Sequence, residues 1–227
     1  MSLPPPTRPA PARPTDLDVV RDSYDRVADS YVHLLATTGM GDIRTTPWLR
    51  AAVDTFADSV HGLGPVLDVG CGPGTVTAYL QERGLDVSGV DLSPRMIEHA
   101  ARLHPGCRFA VRSATELDLE PASLGGILGW WSLFNLPRDV LAGVLATFHD
   151  ALVPGGHAII ATHVGDDDVA RTEAYGGVPV TWTTYQWRPE RLTELLDDVG
   201  LRVVADLRLP AEGQQGPLVV LVARRDT

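Results

Sequence analysis

The sequence predicts an α/β fold organised around a doubly wound, mostly parallel sheet. A short apolar run at 66–69 is followed by three alternating glycines, Gly70, Gly72 and Gly74. Such a run indicates a buried strand, and the glycines indicate a sharp turn into a helix. From this strand onward, strand and helix patterns alternate up to about residue 112, which is typical of a parallel sheet with helices on both faces.

The residues before this strand predict a tail and two helices. Residues 1–15 contain six prolines and are expected to be disordered or extended. Apolar residues recur at helical spacing over about 16–36, and Pro47 suits the first position of a second helix that ends near residue 60. We therefore expect 16–62 to form a helical layer ahead of the sheet.

The residues after the third strand predict the rest of the sheet and one insertion. Further strand and helix patterns follow at 125–130, 139–152, 158–163, 189–199, 201–208 and 217–224. Residues 178–187 alternate, which predicts an inserted strand with Trp182 and Tyr185 on opposite faces. We expect 164–188 to be an insert and 189–227 to form a C-terminal helix and hairpin.

Composition and charge exclude several classes of partner. The chain of 227 residues carries a formal net charge of -10 and has a pI near 5.0, which argues against a nucleic-acid partner. It shows no apolar run of membrane-spanning length and no signal peptide, so we expect a cytoplasmic protein without membrane contact. Two cysteines are too few for a disulfide framework. We expect a monomer or a homodimer.

The spacing of the glycines and of two carboxylates indicates the kind of ligand. A dinucleotide-binding turn carries Gly-x-Gly-x-x-Gly, whereas the third glycine here comes one residue early. Asp68 stands just before the first glycine, where it would repel a pyrophosphate and would suit a ligand with a cationic end. Asp91 ends the next predicted strand, where a carboxylate can accept hydrogen bonds from ribose hydroxyls.

Together, the motif Asp-x-Gly-x-Gly-x-Gly at 68–74 and the segment Val-Ser-Gly-Val-Asp-Leu-Ser at 87–93 resemble the class I S-adenosylmethionine-dependent methyltransferases. The resemblance covers about 20–225 and points to bacterial small-molecule enzymes that tailor natural products. It implies a Rossmann-like, seven-stranded sheet in the order 3-2-1-4-5-7-6, with an antiparallel last strand and an N-terminal helical lid. It also implies a single domain over 16–227, a cofactor-binding core over 63–163, and S-adenosyl-L-methionine as a cofactor that leaves as S-adenosyl-L-homocysteine.

The resemblance assigns a set of residues to the cofactor. Ser113 stands where the family usually carries an acid for the adenine amino group, so its hydroxyl would accept that hydrogen bond more weakly. Leu92 and Met96 would form apolar walls for adenine, although Met96 suits a core role almost equally well. The residues expected at the cofactor are Tyr24, Asp68, Gly70, Cys71, Gly72, Gly74, Asp91, Leu92, Met96, Ser113, Ala114, Thr115 and Trp130.

The methyl acceptor is expected at the carboxyl ends of the fourth and fifth strands. Asn135 stands where some relatives carry a histidine base, and an amide cannot act as a base near neutral pH. His163 ends the fifth strand and is either the general base or an ordinary polar strand end. The residues expected at the substrate are Tyr31, Trp131, Ser132, Asn135, His163, Trp182 and Tyr185.

Two tyrosines of the first helix are further catalytic candidates. The pattern around Tyr24 and Tyr31 resembles the N-terminal lid of many small-molecule methyltransferases. In those enzymes the first tyrosine often touches the methionine end of the cofactor, and the second faces the substrate. Packing of the helix on the domain explains both residues equally well.

No metal is expected. Asp166, Asp167 and Asp168 form a run of carboxylates, but a catechol-type metal site would also need an acid after the fourth strand, where residues 131–133 supply none. We therefore interpret the run as a solvated loop or a helix cap.

The sequence thus predicts S-adenosylmethionine-dependent methyl transfer to a nitrogen, carbon or oxygen atom of a small, aromatic molecule in bacterial secondary metabolism. Because a sulfonium needs little acid or base assistance as it leaves, catalysis would depend mainly on proximity and orientation. Two alternatives stay open. One is a non-methylating enzyme on the same fold, such as a cyclase, and the other is a non-catalytic cofactor-binding protein.

Overall fold

The computed structural model describes residues 11–39, 42–213 and 216–226. Residues 1–10 of the predicted proline-rich tail lie outside these ranges, so the tail stays a prediction. The described helices are α1 (Leu17–Thr38), α2 (Pro47–Val60), α3 (Thr75–Glu82), α4 (Pro94–Leu103), α5 (Arg138–Ala151) and α6 (Pro189–Asp198). The described strands are β1 (Val66–Val69), β2 (Val87–Asp91), β3 (Arg108–Val111), β4 (Leu124–Trp130), β5 (Leu152–His163), β6 (Val169–Ala174), β7 (Val178–Thr184), β8 (Leu201–Leu209) and β9 (Leu218–Arg225).

Seven of these strands form one sheet in the order β3-β2-β1-β4-β5-β9-β8. The strands from β1 to β5 are parallel to one another, and β9 is antiparallel to both β5 and β8. Along the chain, β8 and β9 are the sixth and seventh strands of this sheet. The predicted fold class, with the order 3-2-1-4-5-7-6 and an antiparallel last strand, is therefore confirmed.

Helices cover both faces of the sheet. Phe148 of α5 and Leu192 of α6 share a core with Ile127, whereas Phe56 of α2 belongs to the opposite core with Leu128. Neighbouring residues of β4 thus face opposite layers, as expected for a strand buried on both sides. None of the helices in the described ranges has both the length and the apolar character needed to cross a bilayer.

The insert contains a hairpin where the sequence predicted one strand. β6 pairs only with β7, in an antiparallel ladder. Its residues are exposed or half-buried, and its three polar residues, 171–173, are consecutive, so it shows no apolar alternation that would mark a strand. In β7 the predicted alternation is present, with Val180 and Trp182 buried against α1. β5 also begins before residue 158, because Leu152 already pairs with Leu124 ahead of a register shift.

The first helix lies between this hairpin and α4. Val20 and Val27 of α1 share a core cluster with Met96 and Trp182. On the hairpin side, the Ser23 hydroxyl accepts a hydrogen bond from the backbone N–H of residue 181 at 3.0 Å. This packing on two sides holds α1 across the carboxyl ends of the parallel strands.

The turn after β1 is fixed by close contact with the segment after β4. Gly70 has φ of +74°, and a Cβ added to it would overlap the side chain of Ser132. Ser132 cannot easily move aside, because its hydroxyl donates to the Val69 carbonyl at 2.5 Å. A glycine is therefore required at position 70 for both backbone conformation and space.

Substitution of Gly70 by alanine should destabilise the protein more than the same change at Gly84. Gly84 has a similar φ of +86°, but a Cβ there meets nothing within 4 Å. We expect Gly84→Ala to cost about 1–2 kcal/mol of unfolding free energy for the left-handed backbone. Gly70→Ala should cost about 1–3 kcal/mol more for the overlap. Urea denaturation of both variants checks this, and equal losses would show that Ser132 yields freely.

Candidate active site

A cavity of about 760 Å³ lies at the carboxyl ends of the parallel strands. It is lined by the last residues of four strands, Val69, Asp91, Trp130 and His163. α1 covers it with one helical face, which presents Leu17, Val20, Tyr24, Tyr31, Leu35 and Thr38. Ligands of open α/β sheets bind at this edge, and the volume suits a small molecule with its cofactor.

Asp91 fixes the glycine turn against the start of α4. Its Oδ2 accepts the backbone N–H of Gly72 at 2.8 Å, and its Oδ1 accepts that of Ser93 at 2.8 Å. Burial raises the pKa of Asp91 to about 6, although these two N–H groups oppose the rise. The carboxylate has further lone pairs, so it can also accept hydrogen bonds from a ligand in the cavity.

Asp68 lies deeper in the same wall of the cavity. It is almost fully buried, and its Oδ2 accepts the Thr77 hydroxyl at 2.6 Å, which joins β1 to α3. Burial raises the pKa of Asp68 to about 7, with the Asp91 carboxylate contributing to the rise. A cationic group placed beside Asp68 and Asp91 would favour their ionised forms.

The surroundings of these carboxylates leave room for a ligand. A Cβ built on Gly72 would meet no atom within 4 Å, although the residue lines the cavity. Leu92 and Met96 supply apolar surface next to Asp91, and Met96 also packs in the core beneath α1. Cys71 lines the turn as a buried thiol whose pKa is raised by burial. Polar, apolar and open surfaces here fit the ribose, adenine and cationic parts of S-adenosylmethionine.

Two residues predicted at the cofactor do not reach the cavity. A Cβ on Gly74 would lie 2.5 Å from Cζ of Phe109, so this glycine serves the packing of α3 against β3. Thr115 is buried, and its backbone N–H and hydroxyl both bond to the Ser113 hydroxyl. Ser113 and Ala114 do line the cavity, but the Ser113 oxygen is already engaged by its own turn.

Tyr24 belongs to a fixed network between α1, β7 and the segment after β4. Its hydroxyl donates to Oδ1 of Asn135 at 2.7 Å, and Nδ2 of Asn135 donates to the carbonyl of Thr183 at 2.9 Å. Its ring stacks on Trp182 with a centroid distance of 4.7 Å and an angle of 1°. Tyr24 and Asn135 line the cavity, whereas Trp182 lies behind Tyr24 and does not.

Tyr185 is also outside the cavity, contrary to the expected mouth position. Its ring lies 5.7 Å from the guanidinium of Arg138, and its backbone N–H donates to the carbonyl of Phe134. Trp182 lies within β7, whereas Tyr185 follows the last residue of that strand, Thr184. The Trp182 ring packs on α1, and the Tyr185 ring lies near Arg138, so neither ring lines the cavity.

Trp130 and Trp131 form the aromatic wall at the end of β4. Their rings meet edge to face at 4.9 Å, and both line the cavity together with Ser132. Trp131 has φ of +48°, a left-handed conformation that is uncommon for a bulky residue. Its backbone N–H donates to the carbonyl of Ala161 at 3.1 Å, which holds this conformation. Strained residues of this kind concentrate at functional sites.

His163 stands at the end of β5 beside this wall. The imidazole is half-buried, lines the cavity and meets the ring of Phe134 at 5.1 Å. Burial and, to a smaller extent, Arg171 lower the pKa of His163 below its ordinary value. The imidazole is therefore neutral near pH 7 and able to accept a proton.

Several residues that line the cavity were not predicted from the sequence. The structure adds Tyr175, at the tip of the hairpin, and three carboxylates, Asp16, Asp42 and Glu212. The pair Gly176-Gly177 after Tyr175 was an available signal, because adjacent glycines between strands favour a hairpin turn. No sequence pattern indicated that the side chain before that turn would enter the site.

Two carboxylates of the run at 166–168 form ion pairs with arginines. Asp166 pairs with Arg188, and Asp168 pairs with Arg138 at 2.6 Å. In the part of the chain that the structure describes, no group of three or more His, Cys, Asp and Glu residues is arranged to hold a metal ion.

Comparison with known proteins identifies a matching domain. Residues 66–156 match the family described as methyltransferase domain. The demethylmenaquinone methyltransferase of Renibacterium salmoninarum is 32% identical over 146 residues, which cover 63% of this chain and 58% of that protein. The malonyl-[acyl-carrier protein] O-methyltransferase of Enterobacter lignolyticus is 30% identical over 101 residues, which cover 44% and 39%. The chain thus spans about half the length of these curated relatives.

Solved structures resemble the chain over nearly its whole length. The 1,6-didemethyltoxoflavin-N1-methyltransferase of Burkholderia thailandensis, solved with 1,6-didemethyltoxoflavin and S-adenosylhomocysteine, is 25% identical with a TM-score of 0.65. It covers 98% of this chain and 94% of its own. The magnesium protoporphyrin IX methyltransferase of Synechocystis is 17% identical with a TM-score of 0.69, covering 95% and 99%. The second likeness shows the fold alone.

The raised pKa of Asp68 predicts that the ligand-free Asp68→Asn variant gains stability relative to the wild-type protein as the pH rises from 5 to 8. The pKa of Asp68 is about 7 in the folded protein and about 4 in the unfolded chain. Below about pH 4 this difference contributes fully to the free energy of unfolding, and the contribution is lost as the pH rises through about 7. Relative to wild type, the variant should therefore gain stability between pH 5 and pH 8, on the order of 2 kcal/mol. Urea denaturation at both pH values measures the gain.

Asp226→Asn is the control for this experiment. Asp226 is exposed, and its pKa is lowered by Arg202, so its contribution to folding is present at neutral and alkaline pH. This variant should show no gain between pH 5 and pH 8. A similar gain in both variants would show that general charge reduction, and not burial of Asp68, is responsible.

Proposed function

We propose that this protein is a class I S-adenosylmethionine-dependent methyltransferase that methylates a small molecule held in the cavity. Its sheet order and the match of residues 66–156 to a methyltransferase domain support this proposal. The observation that carries the proposal is the convergence of Asp91, the glycine turn and the ends of four strands on one covered cavity. The proposed acceptor is aromatic, and the proposed setting is the tailoring of bacterial natural products.

The residues of the β1 and β2 side would hold the cofactor. Asp91 would accept hydrogen bonds from the ribose hydroxyls, and Asp68 would face the cationic methionine end. Leu92 and Met96 would enclose the adenine, with Ser113 at its edge. When bound, S-adenosylmethionine supplies an electrophilic methyl group on its sulfonium.

The lid proposed for 16–62 and the insert proposed for 164–188 would orient the acceptor and exclude water. α1 already covers the cavity with six side chains, and the stack of Tyr24 on Trp182 ties it to the hairpin. Holding two reactants in one geometry can supply several kcal/mol of a reaction barrier. This part of the catalysis needs no charged side chain at the reacting atoms.

An aromatic acceptor is supported by the lining of the β4 and β5 side. Trp130 and Trp131 line the cavity there, and Tyr31 and Tyr175 line it from the cluster that contains Met96. Aromatic rings stack favourably on flat ligands. The Burkholderia thailandensis relative, an N1-methyltransferase solved with 1,6-didemethyltoxoflavin, supports a ring-bearing acceptor. It also supports nitrogen as the accepting atom.

His163 is the proposed proton acceptor. It lines the acceptor side of the cavity as a neutral imidazole. Tyr24 is unsuited to this role, because its hydroxyl proton is already donated to Asn135 and burial raises its pKa far above neutrality. Burial likewise raises the pKa of Tyr31, so Tyr31 would bind the acceptor and not deprotonate it.

The proposed function is tested first by cofactor binding. Calorimetry should show binding of S-adenosylhomocysteine and no binding of NAD. Asp91→Asn should weaken that binding by roughly tenfold to 150-fold, the range for a hydrogen bond to a charged group. Asp22→Asn removes an exposed carboxylate of α1 that, among the described residues, pairs with Arg21. This variant should bind as wild type does.

Turnover is then measured with S-adenosylmethionine and a panel of phenols and aromatic amines. Release of S-adenosylhomocysteine together with a methylated product is expected for at least one compound. Cofactor binding without product for any compound would favour a cofactor-binding protein. A product that gains no methyl group would favour a non-methylating enzyme such as a cyclase.

His163→Gln should lower kcat by roughly a hundredfold or more, the usual scale of general-base catalysis. Because the His163 pKa lies below its ordinary value of about 6.5, wild-type kcat should rise with pH below that value and become level by pH 7. The variant should lose this rise. Unchanged kcat in the variant would make His163 an ordinary strand-end residue.

A further inference from the structure

The tip of the β6–β7 hairpin has an unusual backbone. Tyr175, Gly176 and Gly177 have φ values of +45°, +93° and +81°. Two glycines adopt this conformation readily, and a Cβ on either would meet nothing within 4 Å. A tyrosine in the left-handed region is strained, so the surrounding contacts must hold Tyr175 in place.

Those contacts direct the Tyr175 ring inward. It meets Tyr31 of α1 edge to face at 4.8 Å and lies 6.5 Å from Trp182 at an angle of 45°. Tyr175 and Tyr31 both line the cavity. Burial raises the pKa of each phenol, so both keep their protons at physiological pH.

The two phenol hydroxyls differ from that of Tyr24 in having no protein partner. Tyr24 donates to Asn135 at 2.7 Å, whereas no described residue forms a hydrogen bond with the hydroxyl of Tyr31 or Tyr175. Neither hydroxyl oxygen is among the fully buried atoms without a partner, so both are reachable from the cavity. A ligand that covered them without forming a hydrogen bond would leave them unsatisfied, which is costly. Both hydroxyls are therefore available to a bound molecule.

The charged groups around the cavity are mostly carboxylates. Arg112 is the single arginine among the described lining residues, and no lysine occurs among them. Five carboxylates of the described residues line the cavity, and two of them, Asp68 and Asp91, are assigned to the cofactor. The carboxylates left to act on the acceptor are Asp16, Asp42 and Glu212. Together with the neutral His163, this lining disfavours an acceptor with a negative charge and suits one that is neutral or cationic.

On the basis of the proposed function, we infer that the methyl acceptor is an amine that carries an aromatic ring and no negative charge, and that the hydroxyls of Tyr175 and Tyr31 bind it. Tyr175 thereby determines specificity from the tip of the insert. Its ring encloses the acceptor, and its hydroxyl supplies a hydrogen bond that the protein itself leaves unmade.

The charge preference is tested on protein saturated with S-adenosylhomocysteine, with two matched pairs of probes. Tyramine is compared with 4-hydroxyphenylacetate, and tryptamine with indole-3-acetate, by quenching of tryptophan fluorescence. At least one amine should bind at least ten times more tightly than its matched acid. Binding of neither amine, or equal or tighter binding of the acids, would overturn the inference.

The role of the hydroxyl is tested with Tyr175→Phe, which keeps the ring and its packing. This variant should bind the amine about three- to tenfold more weakly, as expected for one neutral hydrogen bond. Its affinity for S-adenosylhomocysteine and its Tm should be unchanged, because the hydroxyl has no partner among the described residues. Tyr185→Phe removes a hydroxyl next to the same hairpin but outside the cavity, and it should bind the amine as wild type does.

The two proposals fail in distinguishable ways. Loss of amine selectivity with normal S-adenosylhomocysteine binding would overturn only the acceptor inference, as would equal amine binding by Tyr175→Phe and wild type. Absence of S-adenosylhomocysteine binding in the wild-type protein would overturn the proposed function and the inference that depends on it.

Discussion

One carboxylate joins the elements on which the site depends. Asp91 accepts a backbone hydrogen bond from the glycine turn through Gly72 and another from the start of α4 through Ser93. Ser93 in turn caps α4 by accepting the N–H of Met96, and its hydroxyl donates to Asp25 of α1 at 2.5 Å. A ligand that binds Asp91 is therefore connected, through Ser93, to the helix that covers the cavity.

The two sides of the cavity are built by different physical means. On the β1 and β2 side, hydrogen bonds to backbone groups fix the turn, so its geometry depends on glycines and one carboxylate more than on side-chain packing. On the β4 and β5 side, aromatic packing dominates, through the edge-to-face pair of Trp130 and Trp131 and the contact of Phe134 with His163. The first kind of surface suits a constant cofactor. The second can vary with the acceptor.

Burial of carboxylates at the site costs stability that a ligand can offset. Asp68 and Asp91 both have raised pKa values because they are removed from water. Strain in the backbones of Trp131 and Tyr175 adds to this cost. The cores on both faces of the sheet, with Phe56, Phe148 and other fully buried side chains, offset these local losses. Functional sites commonly contain such departures from the most stable arrangement.

The sequence by itself determined the features that depend on local patterns. Apolar runs and helical periodicity predicted the strands and helices, and the spacing of Asp68, the glycines and Asp91 predicted the site at the end of β1 and β2. The order of the strands in the sheet was implied by the resemblance to a known family. These features are local because a strand, a turn and a cap are each formed within a few residues. The local pattern does not distinguish Gly74 and Thr115 from their predicted neighbours in the sequence. The predicted neighbours line the cavity, whereas Gly74 and Thr115 pack away from it.

Tertiary structure alone decided which aromatic residues enter the cavity. The alternation predicted that Trp182 and Tyr185 lie on opposite faces, but only the structure shows that neither ring lines the cavity. Trp182 packs on α1 and Tyr185 lies near Arg138. Which face of a hairpin is buried depends on the element that covers it. Tyr175 enters because a left-handed turn and a ring on another helix direct its side chain inward. β6 forms because β7 lies beside it and pairs with it, not because of its own apolar pattern. Contacts between residues far apart in sequence leave no mark in local periodicity, which is why the acceptor side had to be seen in three dimensions.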